Sequence, residues 1–132
     1  MKLVIMGRLP TLNEYTKASR GKSWYKSANM KQETENKIIY AIRSQLPRKI
    51  KPPIYVVFNW YARDKRTDKD NIAFAKKFVF DALQKAGRLR NDGWDDISGF
   101  KDNFYLDSRK PRVEVQIYEE GERWEKIIQA VL

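Results

Sequence analysis

Apolar and polar positions alternate along this chain in a way that separates strands from helices. Leu3, Val4, Ile5 and Met6, within Lys2 to Arg8, form a run too continuous for a half-exposed edge and too short for a helix, which predicts a buried strand. Pro10 to Ser27 carries turn formers, scattered basic residues and three aromatics with no period, and reads as a loop or a weak hairpin. Ala28 to Leu46 reads as a helix with Met30, Ile38, Ile39, Ala41 and Ile42 on its apolar side, stopped by Pro47. A basic, proline-bounded connector, Arg48 to Pro53, leads into Ile54 to Ala62, whose β-branched and aromatic content predicts a central strand. After the polar turn RDKRTDKDN, Asp70 to Ala86 predicts a helix with Ile72, Ala75, Val79, Ala82, Leu83 and Ala86 as its core stripe, closed by Gly87. Residues 88 to 96 form a loop, and Ile97 to Leu106 and Arg112 to Tyr118 are expected as a hairpin across DSRKP. Glu122 to Leu132 is expected as a short helix presenting Trp124, Ile127, Ile128 and Val131, as core or dimer-contact residues.

The order β, α, β, α, β, β, α predicts an α/β (α+β) fold: one mixed sheet of about four strands, two main helices packed on it and a short C-terminal helix. At 132 residues the chain can bury one real core, so a single domain over 1–132 is expected. No segment approaches the roughly 18 apolar residues of a membrane span, and MKLVIMG is too short for a signal-peptide core, so a cytoplasmic protein is expected.

Charge narrows the class of partner. Residues 17 to 66 hold 13 basic and 3 acidic residues, while the remainder holds 14 of each. Such segregation suits a polyanion, because neutralised phosphates release condensed counterions. Arg20, Lys22, Lys26, Arg48, Lys49, Lys51, Arg66, Lys69 and Lys76 are the candidate nucleic-acid contacts. Tyr15, Trp24 and Tyr25 either stack on exposed bases or close the core beneath the loop. Cysteine and histidine are both absent, so any metal is held by oxygen, which points to magnesium, manganese or calcium rather than zinc.

The densest chemical signal is Thr67-Asp68-Lys69-Asp70-Asn71 at a strand-to-helix junction, followed by Asp92 in the loop after that helix. Three converging aspartates would supply hard ligands for magnesium and leave positions for water and phosphate. Helix capping by an aspartate is the plainer alternative. Asn71 either orients a ligating carboxylate or caps the helix, and Asp95 or Asp96 either assists Asp92 or sits in a solvated loop.

Arg66-Thr-Asp-Lys-Asp-Asn71, then Phe80-Asp-Ala-Leu-Gln-Lys-Ala-Gly87, then Asn91-Asp92 resembles the signature of the RusA-type Holliday-junction resolvases. Leu9-Pro10, Asn13, Tyr15 and Arg20-Gly21 add a weaker likeness to that family's basic, tyrosine-bearing amino-terminal segment. The resemblance implies a homodimeric endodeoxyribonuclease, often prophage-encoded, that uses Mg2+ (with Mn2+ as a possible substitute) to nick four-way or other branched DNA in recombination and repair. It implies Asp68, Asp70 and Asp92 as metal ligands and a lysine from the Lys76-Lys77 pair as a catalytic assistant. Two departures stand out: the helix is one turn longer before Phe80-Asp-Ala-Leu, and Asn91 replaces the first member of an acidic pair. In a regular helix Lys77 returns to within roughly 20° of Asp70, whereas Lys76 lies roughly 120° away, so Lys77 is the expected catalytic lysine. The competing expectations are a non-catalytic DNA- or RNA-binding protein and a basic adaptor for an acidic protein.

Overall fold

A computed structural model describes residues 1–20 and 24–121, the side chain of Trp24 excepted. The expected C-terminal helix and Lys22 therefore lie outside the described residues. The elements are β1 (Lys2–Met6), α1 (Leu12–Ala18), α2 (Trp24–Gln45), β2 (Ile54–Ala62), α3 (Lys69–Ala73), α4 (Lys76–Lys85), β3 (Ile97–Leu106) and β4 (Arg112–Glu119). They build the mixed four-stranded sheet and helical layer that the pattern predicts, with strand order β1-β4-β2-β3.

β2 pairs with β3 in parallel and with β4 antiparallel, and β1 pairs antiparallel with β4. The chain from β2 through α3 and α4 to β3 is thus a βαβ unit, and β3 and β4, though sequential, are separated by β2. The expected β3–β4 hairpin is not formed: a parallel β3 seals the flank of β2, and β4 takes the other side.

Ile54, Val56, Phe58 and Trp60 are buried while Tyr55, Val57, Asn59 and Tyr61 are half-buried, so one face of the sheet carries the core. Leu3, Ile5, Val113, Val115 and Ile117 extend that face, and Ile38 and Ile42 of α2, with Leu46 just after it, pack with Phe78, Val79 and Leu83 of α4.

Three local features depart from expectation. The segment read as a loop contains α1, started by a capping box in which Glu14 N–H donates to Thr11 Oγ1 (3.2 Å) and Thr11 N–H donates to Glu14 Oε1 (3.2 Å). Tyr15 on α1 packs against Phe74 and Phe78 with ring centroids 5.6 and 5.7 Å apart, so it closes the core. α2 begins four residues before the expected Ala28, at Trp24.

The predicted helix over 70–86 is broken at Phe74 and Ala75. Three-residue hydrogen bonds, Ala75 N–H to Ile72 O (3.2 Å) and Lys77 N–H to Phe74 O (3.2 Å), tighten the backbone there. Each such step turns about 120° instead of about 100°, so azimuths counted across the break are displaced. The far end of α4 follows the sequence: Gly87 takes φ +72°, and Arg88 N–H to Leu83 O and Gly87 N–H to Gln84 O (both 3.0 Å) close the helix.

Candidate active site

β2 ends at Ala62, and a polar turn over residues 63–67 leads to α3. Asp68 occupies the N-cap position of α3 with extended backbone (φ −65°, ψ 151°), yet its side chain makes no capping hydrogen bond. Capping therefore does not account for that carboxylate. Asp70 accepts a local bond from Asn71 N–H (3.0 Å) and is exposed. Both line an open groove of about 700 Å³ with Asp64, Lys65, Lys69 and the wall Phe104-Tyr105-Leu106 at the end of β3. Lys69 Nζ lies 5.7 Å from the Phe104 ring centre.

A second cavity, about 440 Å³, adjoins this groove and shares Asp64, Thr67 and Ile72 with it. Arg8, Arg63, Arg66 and Arg112 contribute to its lining over a floor that includes Trp60 and Tyr61. Arg8 is held by an ion pair to Glu14, whose carboxyl is pulled below the usual glutamate range chiefly by that hydrogen bond. Arg112 lies 3.8 Å from the Tyr61 ring centre and is bound by Asp107 and Glu114 (both 2.8 Å), which raise its pKa. Acidic and arginine-lined surfaces thus meet at one end of the sheet, where carboxylates and a bound phosphate can be neighbours.

Asp92 is elsewhere. It is exposed in the loop that leads into β3, whose first residue pairs with Ile54 at the start of β2. β2 and β3 run in parallel, so Asp68 and Asp70 lie beyond one end of the strands and Asp92 before the other. Nine residues of strand separate the two ends by roughly 27 Å. No group of three or more carboxylates able to hold a metal occurs among the described residues of one chain. The expected convergence of Asp68, Asp70 and Asp92 within a chain does not occur, because α3 and α4 carry the chain from one end of the parallel strands back to the other. Of the suggested auxiliaries, Asp96 is buried and bound by Arg90 (2.6 Å), while Asp95 is exposed beside Asp92.

The donor set at the groove suits a hard divalent cation. Magnesium is commonly held by one or two carboxylates together with substrate phosphates, and Asp68 and Asp70 offer such a pair. The side-chain oxygen of the adjoining Asn71 is buried with no hydrogen-bond donor, an orphan that ordered water at such a site would satisfy. Asp92 does not fit that set within one chain.

The two lysines fall in different surroundings. Lys77 is exposed and lies outside the lining of the acidic groove. Lys76 turns inward, ion-paired to Asp102 on β3, with its Nζ 4.5 Å from the Phe100 ring centre. Trp60 Nε1 donates to the other Asp102 oxygen (2.8 Å). Lys65 and Lys69 line the acidic groove, whereas Lys76 and Lys77 do not.

The other basic candidates divide similarly. Lys69 lines the acidic groove and Arg66 the adjoining cavity, Arg20 is exposed after α1, and Lys26 shares a shallow groove with Arg8 and Lys37. Arg48 is committed to the buried Glu119 (2.9 Å), while Lys49 and Lys51 are exposed at the Asp92 end of the sheet. The pattern reading missed the Lys76–Asp102–Trp60 cluster, which only the parallel register reveals, and Trp94, which is 98% exposed. No helix among the described residues is long and apolar enough to cross a membrane. No protein-family model matches the chain, and no curated protein matches it.

Proposed function

We propose that the protein is a magnesium-dependent, structure-selective endodeoxyribonuclease that hydrolyses phosphodiester bonds in branched DNA, four-way junctions among them, as a homodimer in the cytoplasm. The observation that carries this reading is the pairing of two carboxylates, Asp68 free of its capping role, with Lys65, Lys69 and an adjoining arginine-lined cavity at one end of the sheet. The sequence signature around Asp68, Asp70 and Phe80 to Gly87 supports the choice of substrate.

Asp68 and Asp70 would hold the ion, which when bound polarises the phosphoryl oxygen and lowers the pKa of a water nucleophile. Lys69 and Arg66 would grip the phosphates on either side, positioning the scissile bond without reading bases. Lys65, which lines the same groove, would offset charge that develops on the phosphoryl oxygens. The lysine pair Lys76 and Lys77 has no place in this arrangement: one is bound to Asp102 and the other lies outside the groove.

Incubating the protein with an end-labelled four-way junction, first with magnesium and then with EDTA, tests the reading. Magnesium should produce nicked product and EDTA should stop it while binding persists. Tight, salt-sensitive binding with no product in magnesium would instead establish a non-catalytic DNA- or RNA-binding protein.

A further inference from the structure

The arginine-lined cavity beside the acidic groove has a chemistry of its own. Strand register creates it: Met6, Arg112 and Tyr61 stand side by side where β1 ends, β4 begins and β2 ends, and residues on either side of them form the walls. Its apolar lining includes Leu9 and Val113, both buried, and the half-buried Ile72. Its cations are Arg8, Arg63, Arg66 and Arg112. At about 440 Å³ it falls within the roughly 300–1,000 Å³ typical of small-molecule sites.

The guanidiniums are not equivalent. Arg8 is paired with Glu14, and Arg66 lies 3.8 Å from Asp64. Arg112 uses Nε for Glu114 and Nη1 for Asp107 and the Lys110 carbonyl, which leaves the two N–H groups of Nη2 without an acceptor among the described residues. Its plane is held in place over the Tyr61 ring, 3.8 Å from the centre, and Tyr61 stacks in turn on Tyr105 at 5.0 Å. Arg63 is exposed and enters no ion pair among the described residues, so its charge is not balanced by a carboxylate.

An apolar recess rimmed by guanidiniums suits a ligand that is flat and apolar at one end and anionic at the other. A duplex arm offers only phosphates, because its bases stay inside the stack, and a simple inorganic anion would leave the apolar lining unused. An unpaired nucleotide carries both parts.

We propose that this cavity receives one unpaired nucleotide of a DNA strand, its base against Leu9, Ile72 and Val113 and its phosphate on Arg63 and Nη2 of Arg112. The cavity and the acidic groove share Thr67 and Ile72, so the captured nucleotide lies next to the phosphate that the groove holds. Extruding a base costs least where pairing is already interrupted, as at a branch point, and the cavity therefore favours branched over continuous duplex DNA. The nucleotide site stands on its own lining; only its link to the scissile phosphate rests on the nuclease reading.

NMR of methyl-labelled protein in EDTA tests the site without cleavage. Each of the four deoxynucleoside 5′-monophosphates is titrated in turn, beside deoxyribose 5-phosphate and the matching deoxynucleosides. The nucleotides should shift the methyl signals of Leu9, Ile72 and Val113, and each fragment should bind about tenfold more weakly, having lost either the base contact or the charged hydrogen bonds. Arg63→Ala, a change at an exposed position, should keep the native methyl spectrum and weaken nucleotide binding about tenfold. No methyl shift with any nucleotide, or equal binding of deoxyribose 5-phosphate, overturns the proposal. In a four-way junction, an abasic residue beside the scissile phosphate should slow cleavage about tenfold at saturating DNA, and full-rate cleavage with abasic residues on both sides of that phosphate overturns the link between the two sites. Methyl shifts in a protein that never nicks DNA overturn the nuclease reading and leave the nucleotide site standing; nicking without methyl shifts does the reverse.

Discussion

Replacing Lys76 by alanine should destabilise the protein by about 3 kcal/mol, through the partner it abandons more than through its own charge. Lys76 and Asp102 have side chains only 19% and 18% exposed, and the lysine stem runs against Phe100 on the sheet edge. Removing the ammonium leaves Asp102 largely desolvated with Trp60 Nε1 still donating to it, a loss of about 2 kcal/mol once its residual contact with water is allowed for. The lost cation–π contact adds about 1 kcal/mol. With an unfolding entropy of about 2.1 cal/mol/K per residue, a chain of this length should melt about 10 °C lower. Lys77→Ala removes an exposed side chain and should move the midpoint by no more than about 2 °C. Thermal melts of both variants, followed by circular dichroism, make the comparison. Lys76→Met with Asp102→Asn should recover part of the loss, giving a coupling of about 1–3 kcal/mol in a double-mutant cycle. The reasoning fails if Lys76→Ala melts with the wild type, or if Lys77→Ala is the less stable protein.

Arg66→Ala with Lys69→Ala should weaken binding to every junction sequence alike and lower the slope of log affinity against log salt by about two, measured by fluorescence anisotropy across a salt series. Arg48→Glu should lower the melting temperature rather than act on DNA alone, since it sets a second carboxylate beside the buried Glu119; Lys49→Glu with Lys51→Glu, at exposed positions, should leave the melt unchanged. Glu14 should titrate below its ordinary 4.5 in the folded protein and move back toward that value in Arg8→Ala, read by carboxyl carbon NMR. The depressed folded pKa means that this contact stabilises above the unfolded value and is lost as pH falls through the folded one, so the two proteins should differ in stability near neutrality and converge in acid.

Much of the architecture was legible because burial writes a period into the chain. β2, the stripe of α4 and its Gly87 stop follow from alternation, helical spacing and a left-handed closing residue. α1 was hidden because its seven residues bury none fully, leaving no stripe to read, although Thr11 and Glu14 spelled out its capping box. The break at Phe74 and Ala75 was hidden for the opposite reason: both residues continue the apolar pattern, and only the hydrogen bonds reveal the change of pitch. The Asp68–Asp70 pair was visible as a motif, but the position of Asp92 depended on β3 lying parallel to β2, which no local pattern encodes.

The most direct test of the central claim is single-turnover cleavage of a four-way junction in magnesium, comparing wild type with Asp68→Asn and Asp70→Asn at DNA concentrations that saturate each protein. Both variants should bind the junction at least as tightly as wild type and yield no nicked product, because a ligand charge is removed while the basic surface stays intact. Nicking at the wild-type rate by either variant would contradict the assignment of the acidic pair to catalysis.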